Sequence, residues 1–178
     1  MNQEFNPKVE EWLQEAPFDD PIKQQQTPNF SYDDWFKRGR ALPNVIESLI
    51  QLLEQEKLEN PSGIGMRVAY ALGWVGDKRP QITKALLRTL YSKDLSLRIE
   101  SVSAIGRQGD ASVSPTIEKL LLNKDEDINV RGNACIAIGR LGAPSAEKLL
   151  TDALKDSDPF IVSCAKEGLR LLNEKKSS

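Results

Sequence analysis

The sequence predicts an all-α fold, a solenoid of about four helical hairpins preceded by an N-terminal extension. The first observation is a short block, Ala-Leu-Gly or Ala-Ile-Gly, that ends at Gly73, Gly106 and Gly139 with a spacing of 33 residues. The second is another glycine three residues after each block. The third is that apolar residues recur between the blocks at the spacing of one helix face. Short helical patterns repeated at this period are typical of solenoids, whose units bury their apolar faces against neighbouring units.

Residues 1–42 form the predicted extension. This segment contains seven of the eleven aromatic residues, and its five Lys or Arg against eight Asp or Glu give a net charge of −3. Prolines interrupt it, and the run 23–29 has no apolar period, so we expect an irregular segment between two short helical pieces. The acids at 33–34 precede the bases at 37–40, an order that favours a short helix. We expect this helix to pack Trp35 and Phe36 on the first repeat, so that the extension caps the solenoid. The alternatives are that it lies in the groove or binds a partner.

Residues 43–178 form the predicted repeat domain, with repeats at about 43–79, 80–111, 112–143 and 144–174. Each first helix begins beside a proline, which suits the first turn because its missing N–H costs nothing there. Each second helix ends at the glycine pair, where the last glycine accepts the left-handed backbone of a helix C-terminus. The fourth repeat lacks this pair and leads into a charged tail. We expect it to cap the chain or to mediate a homodimer through the solenoid end.

The composition narrows the range of functions. The chain has no histidine, two cysteines and a net charge of −2. The absence of histidine excludes catalytic triads with an imidazole base and histidine-based metal sites, and the near-neutral charge argues against a nucleic-acid partner. The N-terminus lacks the pattern of a secretory signal, and no stretch approaches the ~20 apolar residues that span a bilayer. We therefore expect a cytoplasmic protein with no metal, no cofactor, no membrane partner and no nucleic-acid partner.

Two segments, 97–110 and 130–142, share a more specific pattern. Each has an apolar residue followed by Arg, five further residues, Ala-Ile-Gly, two residues and a second Gly. This pattern resembles HEAT-like repeats of the phycobilisome-lyase type, and the resemblance covers about residues 43–172. The predicted fold is then a right-handed α-solenoid of about four HEAT-like helical hairpins. The same repeat serves scaffolds, lyase subunits and hydroxylases, so the resemblance implies the fold and leaves the function open.

The resemblance also implies a structural role for the arginine of this pattern. In this family type the arginine ties the turn between the helices to an acid, and these ties form a ladder along the solenoid. Arg98 and Arg131 hold that position here, and Asp94 and Asp127 lie in the preceding turns. We expect these four residues to form a structural ladder, with a functional role for the arginines as the alternative.

The candidate binding residues follow from helix geometry. In HEAT-like solenoids the second helices line the concave face, and positions three, six and ten after the leading apolar residue of each second helix point outward. Aromatic and arginine side chains at such positions are enriched in interaction hot spots. The alternative is that the extension covers Tyr70 and Trp74 and that the arginines are merely solvated. The predicted partner-binding residues are Arg67, Tyr70, Trp74, Glu100, Ser103, Arg107, Asn133, Ile136 and Arg140.

Two functions of different classes fit these observations. The first is a non-catalytic protein–protein interaction module or scaffold that holds another protein or peptide on the concave face, because no nucleophile or general base is assembled. The second is a subunit of a bilin (phycobiliprotein) lyase or isomerase-type complex, which the resemblance implies. Trp74, Tyr70 and the two groove arginines could hold a tetrapyrrole with propionates. DNA glycosylases and di-iron hydroxylases of this fold are excluded, because the former need a basic groove and the latter need histidine.

Overall fold

The computed structural model describes residues 4–18 and 21–177. Every regular element in these residues is helical, and they contain no strand, so the chain is an all-α solenoid. Three short helices form the extension and eight form four successive hairpins. None of the described helices combines the length and the apolar character needed to cross a membrane. The helices are α1 (Lys8–Glu15), α2 (Pro21–Gln26), α3 (Tyr32–Arg40), α4 (Val45–Gln55), α5 (Gly65–Trp74), α6 (Pro80–Thr89), α7 (Leu95–Gln108), α8 (Ser114–Leu122), α9 (Ile128–Leu141), α10 (Ala146–Ala153) and α11 (Pro159–Lys176), with a 3-10 turn at Ala111–Val113.

The second helix of each hairpin forms the inner layer of the stack. Backbone contacts between α5 and α7, α7 and α9, and α9 and α11 are extensive, whereas those between successive first helices are sparse. A stack whose second helices lie closer together than its first helices must curve toward the second helices. The inner face is therefore the face of α5, α7, α9 and α11 that points away from the first helices.

The repeated glycines explain how the second helices approach so closely. A Cβ on Gly106 would lie 2.8 Å from the Cα of Ala137, and one on Gly139 would lie 2.7 Å from the Cα of Gly168. Any side chain at these positions would push successive helices apart. The second glycine of each pair has a different role: Gly109, for example, ends α7 with a φ of 75°, in the left-handed region that other residues rarely adopt.

The described part of the extension packs on the first hairpin and covers its end. The backbone N–H of Asn6 donates to Ser48 Oγ at 3.0 Å, which fixes the chain ahead of α1 against α4. The indoles of Trp12 and Trp35 stack at 4.3 Å, and each Nε1–H donates to the other residue's carbonyl at 2.8 Å. Both rings are buried. The stacked indoles therefore join α1 to α3 without leaving a buried N–H unpaired.

The local structure of the extension differs from the sequence prediction in one place. A helix is present where the charge order predicted one, as α3, and Ser31 Oγ accepts from the N–H of Asp34 at its N-terminus. The expectation of an irregular segment over 23–29 was wrong for residues 23–26, which belong to α2. Lys23 and Gln24 explain the difference, because their side chains donate to the Gln14 and Phe18 carbonyls. Contacts to α1 and to the turn that follows it thus replace the missing apolar face.

The arginines of the repeat motif join each repeat to the next. Arg98 donates to the Ser92 carbonyl at 2.9 Å and to Glu126 Oε1 at 3.2 Å. Arg131 donates to the Leu121 carbonyl at 3.2 Å and to Asp156 Oδ2 at 2.6 Å. Glu126 and Asp156 lie in the turns of the following hairpins.

The acids expected to complete this ladder have another role. Asp94 caps α7 by accepting the N–H groups of Ser96 and Leu97, and Asp127 caps α9 by accepting that of Asn129. Assigning Asp94 and Asp127 as partners of the arginines was therefore wrong. Each carboxylate sits at a helix N-terminus, where the unpaired backbone N–H groups are its nearest donors.

Candidate functional site

All nine predicted binding residues lie on α5, α7 and α9. The structure divides them into three groups. Arg67 and Tyr70 lie under the extension, while Ser103, Asn133 and Ile136 occupy the middle of the inner face. The remaining residues, Trp74, Glu100, Arg107 and Arg140, lie at or beside an open depression near the C-terminal ends of the second helices.

The extension occupies the part of the inner face around Tyr70. The Tyr70 ring meets Phe36 at 5.7 Å and Phe18 at 5.3 Å, and burial raises the pKa of its hydroxyl. Arg67 donates to the Ala16 carbonyl at 2.7 Å and lies over the Phe18 ring at 4.6 Å. Arg67 and Tyr70 therefore bind the extension. For Tyr70, this is the alternative stated in the sequence analysis, in which the extension covers the ring. Trp74 is only partly covered, because 47% of its surface remains exposed.

Arg107 forms the wall between the covered and the open parts. Its guanidinium lies over the Trp74 ring at 4.8 Å and faces the Tyr70 ring at 5.8 Å, and it pairs with Glu100. Only 13% of the Arg107 side chain and 18% of the Glu100 side chain are exposed. Burial raises the pKa of Glu100, and the charge of Arg107 opposes that rise. Arg107 is therefore already neutralised and held in place.

The middle of the inner face satisfies its own polar groups. Ser103 Oγ donates to Asn133 Oδ1 at 2.8 Å, and Asn133 Nδ2 donates to the Asn129 carbonyl at 2.9 Å. Ile136 is half-buried and packs on the core. This group joins α7 to α9 and offers a partner little more than contact area.

The open depression has a volume of about 620 Å³, and we call it the cationic groove. Four of its side chains are cationic, and no acid among the described residues lines it. Trp74 and Leu171 supply apolar walls, and glycines at the helix ends form much of the floor. The lining residues are Gly73, Trp74, Gly76, Lys78, Gly106, Arg107, Gly109, Arg140, Leu171 and Lys175.

Arg140 is a groove arginine whose side chain is left unpaired within the described residues. Its Cδ lies 3.6 Å from where a Cβ on Gly106 would stand, an ordinary van der Waals distance, so the arginine stem passes beside this glycine. Within the described residues its guanidinium makes neither a hydrogen bond nor an ion pair, although it is half-buried. Burial, and then the charge of Arg107, lower the pKa of Arg140, and the charges of Glu167 and Glu100 oppose this shift only in part. An anion in contact with the guanidinium would stabilise its charged form further.

The two groove lysines were missed by the sequence reasoning. Lys175 reaches back from α11 and donates to the carbonyls of Arg140 and Leu141 at 2.9 and 2.7 Å, so it caps α9. Lys78 lies in the loop after α5, and its Nζ is 3.9 Å from where a Cβ on Gly109 would stand. Neither residue occupies a predicted inner-face position. The sequence feature that could have indicated Lys175 is its place in the basic last turn of α11.

Another cavity is larger but less suited to bind a partner. It has a volume of about 750 Å³ and lies between α1 and the loop that connects α4 to α5. Its buried acid, Glu56, already accepts the backbone N–H of Ser62 at 2.6 Å and its hydroxyl at 2.7 Å. The described residues contain no cluster of acids and cysteines that could hold a metal ion. Of the acid pairs in the extension, Asp33 and Asp34 lie in the first turn of α3, and Asp19 and Asp20 lie outside the described residues.

Comparison with known proteins shows which proteins share this fold. Residues 83–170 match the family model for HEAT repeats. Human deoxyhypusine hydroxylase in complex with glycerol has 18% sequence identity and a TM-score of 0.60, and the match covers 95% of this chain and 64% of that chain. The complex of CpcE and CpcF of phycocyanin lyase from Nostoc sp. PCC7120 has 17% identity and a TM-score of 0.64, covering 98% and 71%. This chain thus spans less than two thirds of the hydroxylase, and identities this low show the fold alone. No curated protein matches the sequence.

Proposed function

We propose that this chain, a HEAT-like repeat protein, is a non-catalytic module that binds another protein through the cationic groove on its inner face. The observation on which the proposal rests is that one depression holds both the half-exposed Trp74 and Arg140, whose guanidinium forms no hydrogen bond or ion pair within the described residues. Tryptophan and arginine are the side chains that most often dominate binding energy at protein interfaces.

The chemistry of the groove favours binding over catalysis. Its lining contains no carboxylate, thiol or hydroxyl side chain, so it assembles neither an acid–base pair nor a nucleophile with its base. The walls are also held rigidly: Arg107 is fixed by Glu100, and Lys175 by two backbone carbonyls. A preorganised wall costs little entropy when a partner binds.

The test compares proteins retained from a lysate of the source organism by wild-type and variant chains. Trp74→Ala with Arg140→Glu should lose at least one protein that the wild type retains, and that protein, once purified, should bind the wild type directly. A matched control is Tyr91→Ala with Lys84→Glu, which removes an exposed ring and reverses an exposed charge on α6 and the turn after it. Equal retention by all three chains would contradict the proposal.

A second candidate function is a subunit of a bilin lyase or isomerase-type complex. Two observations favour it: the structural similarity to the CpcE and CpcF complex of phycocyanin lyase, and a groove that joins an aromatic ring to cations able to bind propionates. Mixing the chain with a free bilin would test this function. A coloured or fluorescent complex that Arg140→Glu abolishes would favour it, and an unchanged bilin spectrum would favour the interaction module.

A further inference from the structure

The charges of the cationic groove are not all equivalent. Lys175 is used to cap α9, where a helix C-terminus attracts a cation. Arg107 is neutralised by Glu100. Lys78 stands near the end of α7 and makes no hydrogen bond or ion pair within the described residues. Arg140 and Lys78 are therefore the two cations left to bind an anion.

We infer that the occupant of the cationic groove is an acidic peptide segment of another protein, with a carboxylate on Arg140 and an adjacent apolar side chain on the Trp74 ring. This inference rests on the proposed function and specifies its partner. The groove is lined by cations without an acid, in a chain whose net charge is −2. An acidic segment is the occupant whose charge complements the groove.

The groove also argues against a nucleic acid as its occupant. A nucleic acid is held by many phosphate contacts spread over a broad basic surface. Here the groove offers four cationic side chains, the chain has a net charge of −2, and the neighbouring extension has a net charge of −3. A short segment with one or two carboxylates fits that local charge, and the apolar faces of Trp74 and Leu171 fit a side chain beside them.

Arg140 accounts for the geometry of the carboxylate contact. Its Cδ lies beside Gly106 at the groove, and no carbonyl or acid in the described residues forms a hydrogen bond with its guanidinium N–H groups. A planar guanidinium with free donors binds a carboxylate through two parallel hydrogen bonds. Partial burial strengthens such a pair because water screens it less.

The test is selection of a random dodecapeptide library displayed on phage, with the full chain as bait. Wild type and the control Lys84→Glu should select peptides enriched in Asp or Glu next to an aromatic or aliphatic residue. Arg140→Glu should not select them. Arg140→Gln is the second variant, because it removes the charge without placing a new acid near Glu100, and the melting temperature of each bait shows that it is folded.

Binding of one selected peptide, titrated by the fluorescence of Trp74, gives the magnitude. Trp12 and Trp35 are buried, so the exposed Trp74 should supply most of the change on binding. Arg140→Gln, or replacing the peptide's acids by their amides, should each weaken binding about ten- to a hundredfold, since each removes a charge-assisted hydrogen bond. Raising NaCl from about 0.05 M to about 0.5 M should weaken wild-type binding as well.

The outcomes separate the inference from the proposed function. If the wild type selects peptides without acidic enrichment and Trp74→Ala loses them, the groove binds a protein segment of another chemistry, and the inference fails while the proposed function stands. If the Arg140 variants select the same acidic peptides as the wild type, the inference also fails. If no peptide is enriched over the bare support, or if Trp74→Ala and both Arg140 variants select the same peptides as the wild type, both are wrong.

Discussion

Replacing Asp156 by Asn should destabilise the solenoid at the junction of its last two repeats. The Asp156 carboxylate accepts from Arg131 at 2.6 Å, and both side chains are buried, with 7% and 8% of their surfaces exposed. It also accepts from Lys124 at 2.7 Å, and because that lysine is 71% exposed, water screens this pair more than the buried pair with Arg131. Removing one partner of a buried ion pair costs about 3–5 kcal/mol.

Two features bring the expected loss down to the lower bound of that range or slightly below it. Arg131 keeps its hydrogen bond to the Leu121 carbonyl, and asparagine keeps an oxygen that can accept the Asp158 N–H, so we expect about 2–3 kcal/mol. Asp125→Asn is the matched control, since Asp125 is exposed and lies in the preceding inter-helix turn. Urea unfolding at neutral pH measures both changes. An Asp156→Asn loss no larger than that of Asp125→Asn would refute the reasoning.

The hydrogen bonds that the Asp156 carboxylate accepts also predict that the stability of the protein depends on pH. The hydrogen bonds from Lys124 and the Asp158 N–H, followed by that from Arg131, hold the pKa of Asp156 well below its ordinary value of 3.8. A carboxyl with a lowered folded pKa stabilises the protein above its unfolded pKa and loses that contribution as the pH falls toward the folded pKa. The wild type should therefore lose more stability than Asp156→Asn when the pH is lowered below about 4. Parallel acid titrations of the two chains would contradict this assignment.

Three further predictions concern packing and reactivity. Gly139→Val should lower the free energy of unfolding by several kcal/mol because its side chain would meet the Gly168 backbone. Gly63→Ala, in open space at a φ of +84°, should lower it by only about 1 kcal/mol, and equal losses would exclude a close contact at Gly139. Trp35→Ala should lower the free energy of unfolding by about 3–5 kcal/mol because its ring is fully buried, and Trp74→Ala should lower it by only about 1 kcal/mol. A loss at Trp74 as large as that at Trp35 would mean that the Trp74 ring belongs to the core. The thiol of Cys135 is fully buried and its pKa is raised to about 12, so iodoacetamide at about pH 8 should label it only after unfolding; mass spectrometry of the native protein that shows labelling would contradict this.

The fold was predictable because the repeat imposes the same contact several times. The spacing of Gly73, Gly106 and Gly139 follows directly from the place where successive second helices touch. The ladder was harder to predict because the partner of each arginine lies one repeat further along, in a turn of similar composition. Asp127 and Glu126 are adjacent in sequence, and only the three-dimensional arrangement decides that Glu126 meets Arg98 while Asp127 caps its own helix.

The candidate site was predictable only in part, for a similar reason. Helix periodicity selected Trp74, Arg107 and Arg140 because all three lie on second helices at equivalent positions. Periodicity could not select Lys78 or Lys175, whose places depend on a loop and on the reach of a side chain from the last helix. It also could not show that Arg107 is neutralised by Glu100 within the same helix, which leaves Arg140 as the free guanidinium.

The extension limits what the cationic groove can bind. Because Phe18 and Phe36 pack on Tyr70, the extension occupies part of the inner face of the first repeat, and a partner in the cationic groove meets this cover beside Trp74, where Phe36 lies 6.4 Å from the Trp74 ring. From Trp74 the open surface runs past Arg107 and Arg140 to Leu171, across the last three repeats. A partner segment must therefore be short, and its apolar residue must lie toward the extension if its acid lies on Arg140. A capping segment that also shortens the groove would thus determine both the length and the direction of the occupant.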